Sequence, residues 1–233
     1  MFSRLAHVNR ASGLLRPRFF ASSRLAPRTP ETGLSEEQEV VFKRIEEDRG
    51  KTGSKAGFPV KNEDGSLVGP WNAMVTSPII GGLAERMGNF CRHRNACAMD
   101  LYEIGILVVG VEWKSQFEWF AHDKLARKAG VSEDAIEGIR QGLPAADVTG
   151  FTENQRAVYA YAKEFHKYKR VTDATHEAAL KAVESEEALV DLVFTMGFYH
   201  QICMTLNAFN VPLPPGVEPA FAEPELPDVS TKK

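Results

Sequence analysis

Between Ser35 and Phe209, apolar residues recur at helical spacing with polar residues between them, a pattern that predicts a chain of amphipathic helices. Their starts carry local signatures. Ser35 with Gln38 and Thr152 with Gln155 are capping boxes, opening "SEEQEVVFKRIEEDRG" and "TENQRAVYAYAKEFHKYKR". Ser132, Thr172 and Ser185 precede further helical runs, Ser77-Pro78 places proline at a first helical position, and Gly130 closes the run before it. Pro212, Pro214 and Pro215 stop the last run.

Two segments depart from this pattern. Residues 50–72 hold seven glycines and prolines and an Asp-Gly pair, which predicts a long ordered loop. "IGILVVGV" (104–111) is apolar at every position but its glycines, so it suits a buried strand as well as a buried helix. No neighbouring segment offers it a partner strand, and helix is the better reading. The fold class expected is all-α. Glu103, at the entrance to this apolar run, then needs a partner. Residues 217–233 are rich in proline and glutamate and are expected to be unpacked.

The run "EWKSQFEWFAHDKLARKAG" (112–130) carries the candidate chemistry. At about 100° per residue with Trp113 as origin, Ser115, Glu118 and His122 project at about 200°, 140° and 180°. They share one face. Its other occupants are Trp119, Leu125, Ala126 and Ala129, and the remaining charges fall outside it. A carboxylate and an imidazole four residues apart on such a face form a pair drawn out of water, which must be satisfied in some way. The plainer reading is a surface pair worth about 0.2–0.5 kcal/mol, with Ser115 as a helix cap.

Charge divides the chain unevenly. Residues 1–30 contain Arg4, Arg10, Arg16, Arg18, Arg24 and Arg28 and no acid, which leaves 22 of the 28 basic residues against all 31 acidic ones, a net charge of −9. An arginine-rich, serine-containing, acid-free start reads as a mitochondrial presequence, and the Arg18-Phe19-Phe20-Ala21-Ser22 run puts cleavage near Phe20. The acidic remainder argues against nucleic acid as partner. No run of about 18 apolar residues is present, so no membrane span is expected. Cys91, Cys97 and Cys203 form no Cys-x-x-Cys pair, and the six histidines lack metal-ligand spacing, so neither thiol chemistry nor a metal is expected.

Three stretches, "GPWNAMVTSP", "LYEIGILVVGVEWKSQFEWFAHDKLARKAGVSEDAIEGIRQG" and "LVDLVFTMGFYHQICMTLNAFNVPLPPG", in this order and spacing, resemble the carboxymuconolactone decarboxylase family, which includes an AhpD-like hydroperoxidase branch. The resemblance covers roughly residues 66–216, within a domain expected over 34–216. It implies an all-α, AhpD-like helical bundle assembled as a trimer or hexamer. The hydroperoxidase branch carries Cys-x-x-Cys-x-x-x-His, with a relay glutamate twelve residues before the first cysteine. Here Glu103 precedes Ser115 by twelve and His122 follows it by seven, while Ser115 and Glu118 occupy the two thiol positions. The decarboxylase branch resembles "EWFAH" directly. Asp100 and Tyr102 stand where the family commonly has the arginines of an R-x-R-E entrance.

The resemblance implies cofactor-independent proton transfer on a small organic acid, such as decarboxylation, with His122, Glu118, Glu103 and Ser115 as catalytic candidates. Trp71, Tyr199 and His200 are candidate pocket residues, with core packing as their alternative. Arg92, His93 and Arg94 form the compact basic cluster of the body, which suits a substrate carboxylate or simply a solvated helix end. Two rivals remain: an AhpD-like peroxidase, which the missing Cys-x-x-Cys opposes, and a non-catalytic oligomeric binding protein, which the altered "DLYE" entrance favours.

Overall fold

The computed structural model describes residues 23–51 and 59–225, and the chain there is all-α apart from a single bridge between Lys61 and Leu67. The helices are α1 (Glu36–Lys51), α2 (Trp71–Thr76), α3 (Pro78–His93), α4 (Met99–Glu112), α5 (Gln116–Ala129), α6 (Glu133–Arg140), α7 (Glu153–Tyr168), α8 (Asp173–Val183) and α9 (Glu186–Ala208). The sequence signals fall at their ends. Gln38 N–H donates to Ser35 Oγ while Ser35 N–H donates to Gln38 Oε1, and Thr152 and Gln155 repeat the exchange. Ser132, Thr172 and Ser185 each accept from the backbone three residues on.

The ambiguous apolar run is helix α4, with every residue from Leu101 to Gly110 buried. A helix apolar on all sides belongs at the centre of a bundle, and α4 packs against α5, α7 and α9. Gly105 permits a close approach to α9, since a Cβ there would stand 3.0 Å from Leu192 and 3.2 Å from Met196.

The turn from α4 to α5 positions the site. Lys114 adopts a left-handed conformation (φ 46), Lys114 N–H reaches the Val111 carbonyl, and Ser115 N–H reaches that of Gly110 at 2.9 Å. This is a Schellman end with lysine in the position glycine usually fills. It folds α5 back along α4, and Glu103 of α4 and His122 of α5 come to face one another across it.

Both ends of the domain extend beyond the limits read from sequence. The expected presequence lies outside the described residues as far as position 22, but residues 23–29 are tied to the body. Arg24 N–H donates to the Phe209 carbonyl, and the Asn72 side chain bonds both Arg28 N–H and the Ala26 carbonyl. The tail, expected to be unpacked, is docked through Phe221. That ring packs edge-on to Trp119 at 5.4 Å, and the Ala220 and Phe221 N–H groups both donate to Gln116 Oε1. One aromatic anchor and a fully used glutamine side chain outweigh the polar composition around them. Residues 226–233 lie outside the described residues.

Candidate active site

Glu103, Glu118 and His122 meet inside the bundle, each less than 7% exposed. His122 Nδ1 lies 2.7 Å from Glu103 Oε2, and Nε2 lies 3.2 Å from Glu118 Oε2. The second contact is within ion-pair range but off the line of a hydrogen bond, so Glu118 Oε2 has no in-line partner. Burial alone would lower the His122 pKa; the charges and hydrogen bonds of Glu103 and Glu118 outweigh it and raise it to about 9. The imidazole is therefore held as a cation near neutral pH, its Nδ1–H donating to Glu103 and its Nε2 within ion-pair reach of Glu118.

Local sequence offered Glu118 an easier partner. Ser115-x-x-Glu118 is a capping-box spacing at the start of α5, yet the Ser115 side chain makes no cap bond. Its hydroxyl is fully buried and turned toward the Cys203 thiol of α9 instead.

His122 and Glu118 line a cavity of about 70 Å³; Glu103 stands behind His122 and does not face it. Tyr199 closes one wall, its ring perpendicular to the imidazole with centroids 4.6 Å apart. Burial pushes the Tyr199 phenol far above its ordinary range, so it is a neutral hydroxyl at any physiological pH. Trp71 forms part of another wall. Gly69, at φ +65, brings it there by passing directly over Phe117, where a Cβ would come within 2.7 Å of the ring.

Arg49 and Arg92 also line the cavity, and sequence reasoning missed the first and favoured a solvated position for the second. Arg49 lies over the Trp71 ring, 4.6 Å from its centroid, and Arg92 Nη2 is 3.3 Å from Asp48 Oδ2. Burial, then the neighbouring Arg92 charge, lower the Arg49 pKa to about 10, still well above neutrality. The cavity thus has a guanidinium region and an acid–base region. No local signal marked Arg49, because α1 meets the site only through tertiary packing.

His200 does not belong to this site. Trp113 Nε1–H donates to His200 Nδ1, and His200 Nε2 lies 2.6 Å from His166 Nε2, whose Nδ1 lies 2.6 Å from the Ala162 carbonyl. One assignment satisfies every atom: His200 protonated on Nε2, His166 on Nδ1, both neutral. Burial first, then the Lys169 charge and, for His200, the neighbouring His166, lower both pKa values. Tyr199 and His200 are adjacent on α9 and so point about 100° apart, one toward α5 and the cavity, the other toward α7.

Among the described residues no group of three or more histidine, cysteine or acidic side chains is arranged to hold a metal ion. No protein-family model matches the chain, and a search of curated proteins finds no match.

Proposed function

We propose that this chain is a thiol-free member of the carboxymuconolactone decarboxylase family, AhpD-like in fold, which exchanges a proton with a carbon of a small organic acid without a cofactor. The observation that carries this reading is a buried imidazole held between two carboxylates on the wall of a small cavity that also presents two guanidinium groups. In a decarboxylation of a β,γ-unsaturated acid whose double bond is conjugated with a second carbonyl group, the electrons of the breaking C–C bond enter the conjugated system as carbon dioxide leaves, and the carbonyl oxygen takes the negative charge. The enolate then takes a proton at a distant carbon. His122 supplies it from Nε2 and becomes neutral, Glu103 keeps the ring oriented, and the Glu118 carboxylate takes up a proton from water entering the cavity and relays it to Nε2, which restores the cation. Arg49 and Arg92 hold the negative charge that survives the loss of carbon dioxide.

A thiol peroxidase reading has less support. Cys91, Cys97 and Cys203 are all buried, and burial pushes each thiol up, so none is a ready thiolate.

A panel of small unsaturated carboxylic acids in deuterated water tests the proposal, with carbon dioxide release and carbon-bound deuterium as readouts. At least one acid should show either. Acids that bind without exchange or release point to a binding protein, and the proton-transfer reading then fails. With any active acid, Arg92→Met should raise KM by roughly 10–100-fold and change kcat less, as expected for a lost charge-assisted contact.

The arginine-rich start supports residence in the mitochondrial matrix. Because Arg24 and Arg28 are anchored, trimming is expected to stop before them, giving a mature N-terminus between Ala21 and Ser23. Sequencing protein from isolated mitochondria checks this; an intact Met1 there rules it out.

A further inference from the structure

We infer that the Tyr199 hydroxyl is the hydrogen-bond donor to the enolate oxygen, a catalytic role separate from that of His122. This assignment rests on the proton-transfer reading above and gives one of its steps a residue. Loss of carbon dioxide leaves negative charge on a carbonyl oxygen, which is stabilised best by a donor already in place when the charge arrives. Tyr199 carries the one neutral hydroxyl among the described residues that line the cavity.

The ring is fixed from two sides. It packs edge-on to His122, with centroids 4.6 Å apart, and edge-on to Phe198 at 5.3 Å, and the whole residue is 5% exposed. Arg92 acts on the phenol from one direction, and Glu118 and Glu103 act on it with the opposite sign. The hydroxyl therefore belongs between the guanidinium region and the acid–base region. The buried Tyr159 shows what a structural tyrosine does here, donating to the Leu143 carbonyl at 2.8 Å. Among the described residues nothing accepts from Tyr199 in that way, and its hydroxyl is left for what the cavity holds.

The enolate can take a proton at two ends, and the two donors suit different ends. Protonation on oxygen would stop at the enol; protonation on carbon completes the reaction. Burial holds the Tyr199 phenol far above its ordinary range, so its proton is shared with the oxygen and stays on Oη. His122, with a pKa of about 9, gives its proton up, and the new C–H bond forms as Nε2–H breaks. Arg49 and Arg92 balance the charge as cations, while Tyr199 directs where on the molecule it settles.

The test compares wild type with Tyr199→Phe, which keeps the ring and both of its edge contacts. The probe is β-nitropropionate in two forms, the nitro compound and its carbon-deprotonated nitronate, whose oxygens carry charge as the enolate oxygen does. Binding is read by tryptophan fluorescence on rapid mixing, before the carbon is protonated, since Trp71 lies on the cavity wall. Wild type should prefer the nitronate, and Tyr199→Phe should weaken the nitronate by roughly 10–100-fold while changing the nitro form less than about threefold. The melting temperature should not fall, because no protein hydrogen bond is lost. With an active acid, Tyr199→Phe should lower kcat by roughly 10²–10³-fold at nearly constant KM. Equal weakening of both forms, no weakening, or a wild type without preference overturns the assignment. Binding needs no turnover, so the two readings fail separately. A nitronate preference that depends on Tyr199 supports the donor even if no acid reacts, and one that survives in Tyr199→Phe removes the donor even if an acid does.

Discussion

Replacing His122 by asparagine should lower turnover by roughly 10²–10⁴-fold, the range expected when a positioned general acid–base group is lost. Asparagine keeps much of the volume and a hydrogen bond but no titratable proton. Glu118→Gln should cost less, because the imidazole remains; with one anionic partner gone its pKa falls, and the pH profile of kcat moves to lower pH. The double substitution should be no slower than His122→Asn alone, since groups that act as one unit are not additive. Rates per folded molecule for the three variants check this. Full activity in folded His122→Asn, or additive losses, would remove the catalytic reading.

The second large effect concerns stability against pH. His122 has its folded pKa raised from 6.5 to about 9, so the folded state binds more protons than the unfolded one between those values. Its contribution is complete below about pH 6.5 and is lost as pH rises through 9. A shift of that size corresponds to about 3 kcal/mol, or roughly 6–12 °C in Tm for a domain of this length. His166 and His200 act in the opposite sense: with lowered pKa values they stay neutral when folded, and stability falls as pH drops below about 6.5. The buried thiols add to the loss only at the alkaline end, so the difference between wild type and His122→Asn isolates the imidazole. Thermal melts of both proteins from pH 6 to about 9 should show the wild-type slope and a flatter one for the variant. Equal slopes would mean that His122 is not held as a cation.

The candidate site separates what neighbours along the chain decide from what packing decides. Capping at Ser35, Ser132, Thr152, Thr172 and Ser185 depends on a side chain and a backbone N–H three residues apart, so the sequence is enough to place these helix starts. The pairing of Glu118 with His122 was legible for the same reason, since helical periodicity sets both on one face. The central place of α4 followed from its lack of any polar face, although apolar content alone could not distinguish strand from helix.

Contacts between helices obeyed no such rule. Glu103 reaches His122 because Lys114 accepts a left-handed turn that folds α5 along α4, and no sequence signal required a lysine to do so. Ser115 is at the helix start as expected, but its hydroxyl faces Cys203 of α9 instead of the N–H it could have capped. Arg49, some seventy residues before His122, enters the cavity only through the packing of α1 against α2 and α3. Between Tyr199 and His200, helical spacing determines only that they point in different directions; the packing of α5 and α7 against α9 decides which one meets the imidazole. Sequence by itself determined the helices, their caps and the polar pair on α5, because those interactions close within one turn. The tertiary structure alone decided which carboxylate clamps that pair, which guanidinium groups stand across the cavity and which histidine is left out, because each depends on where separate helices come to rest against one another.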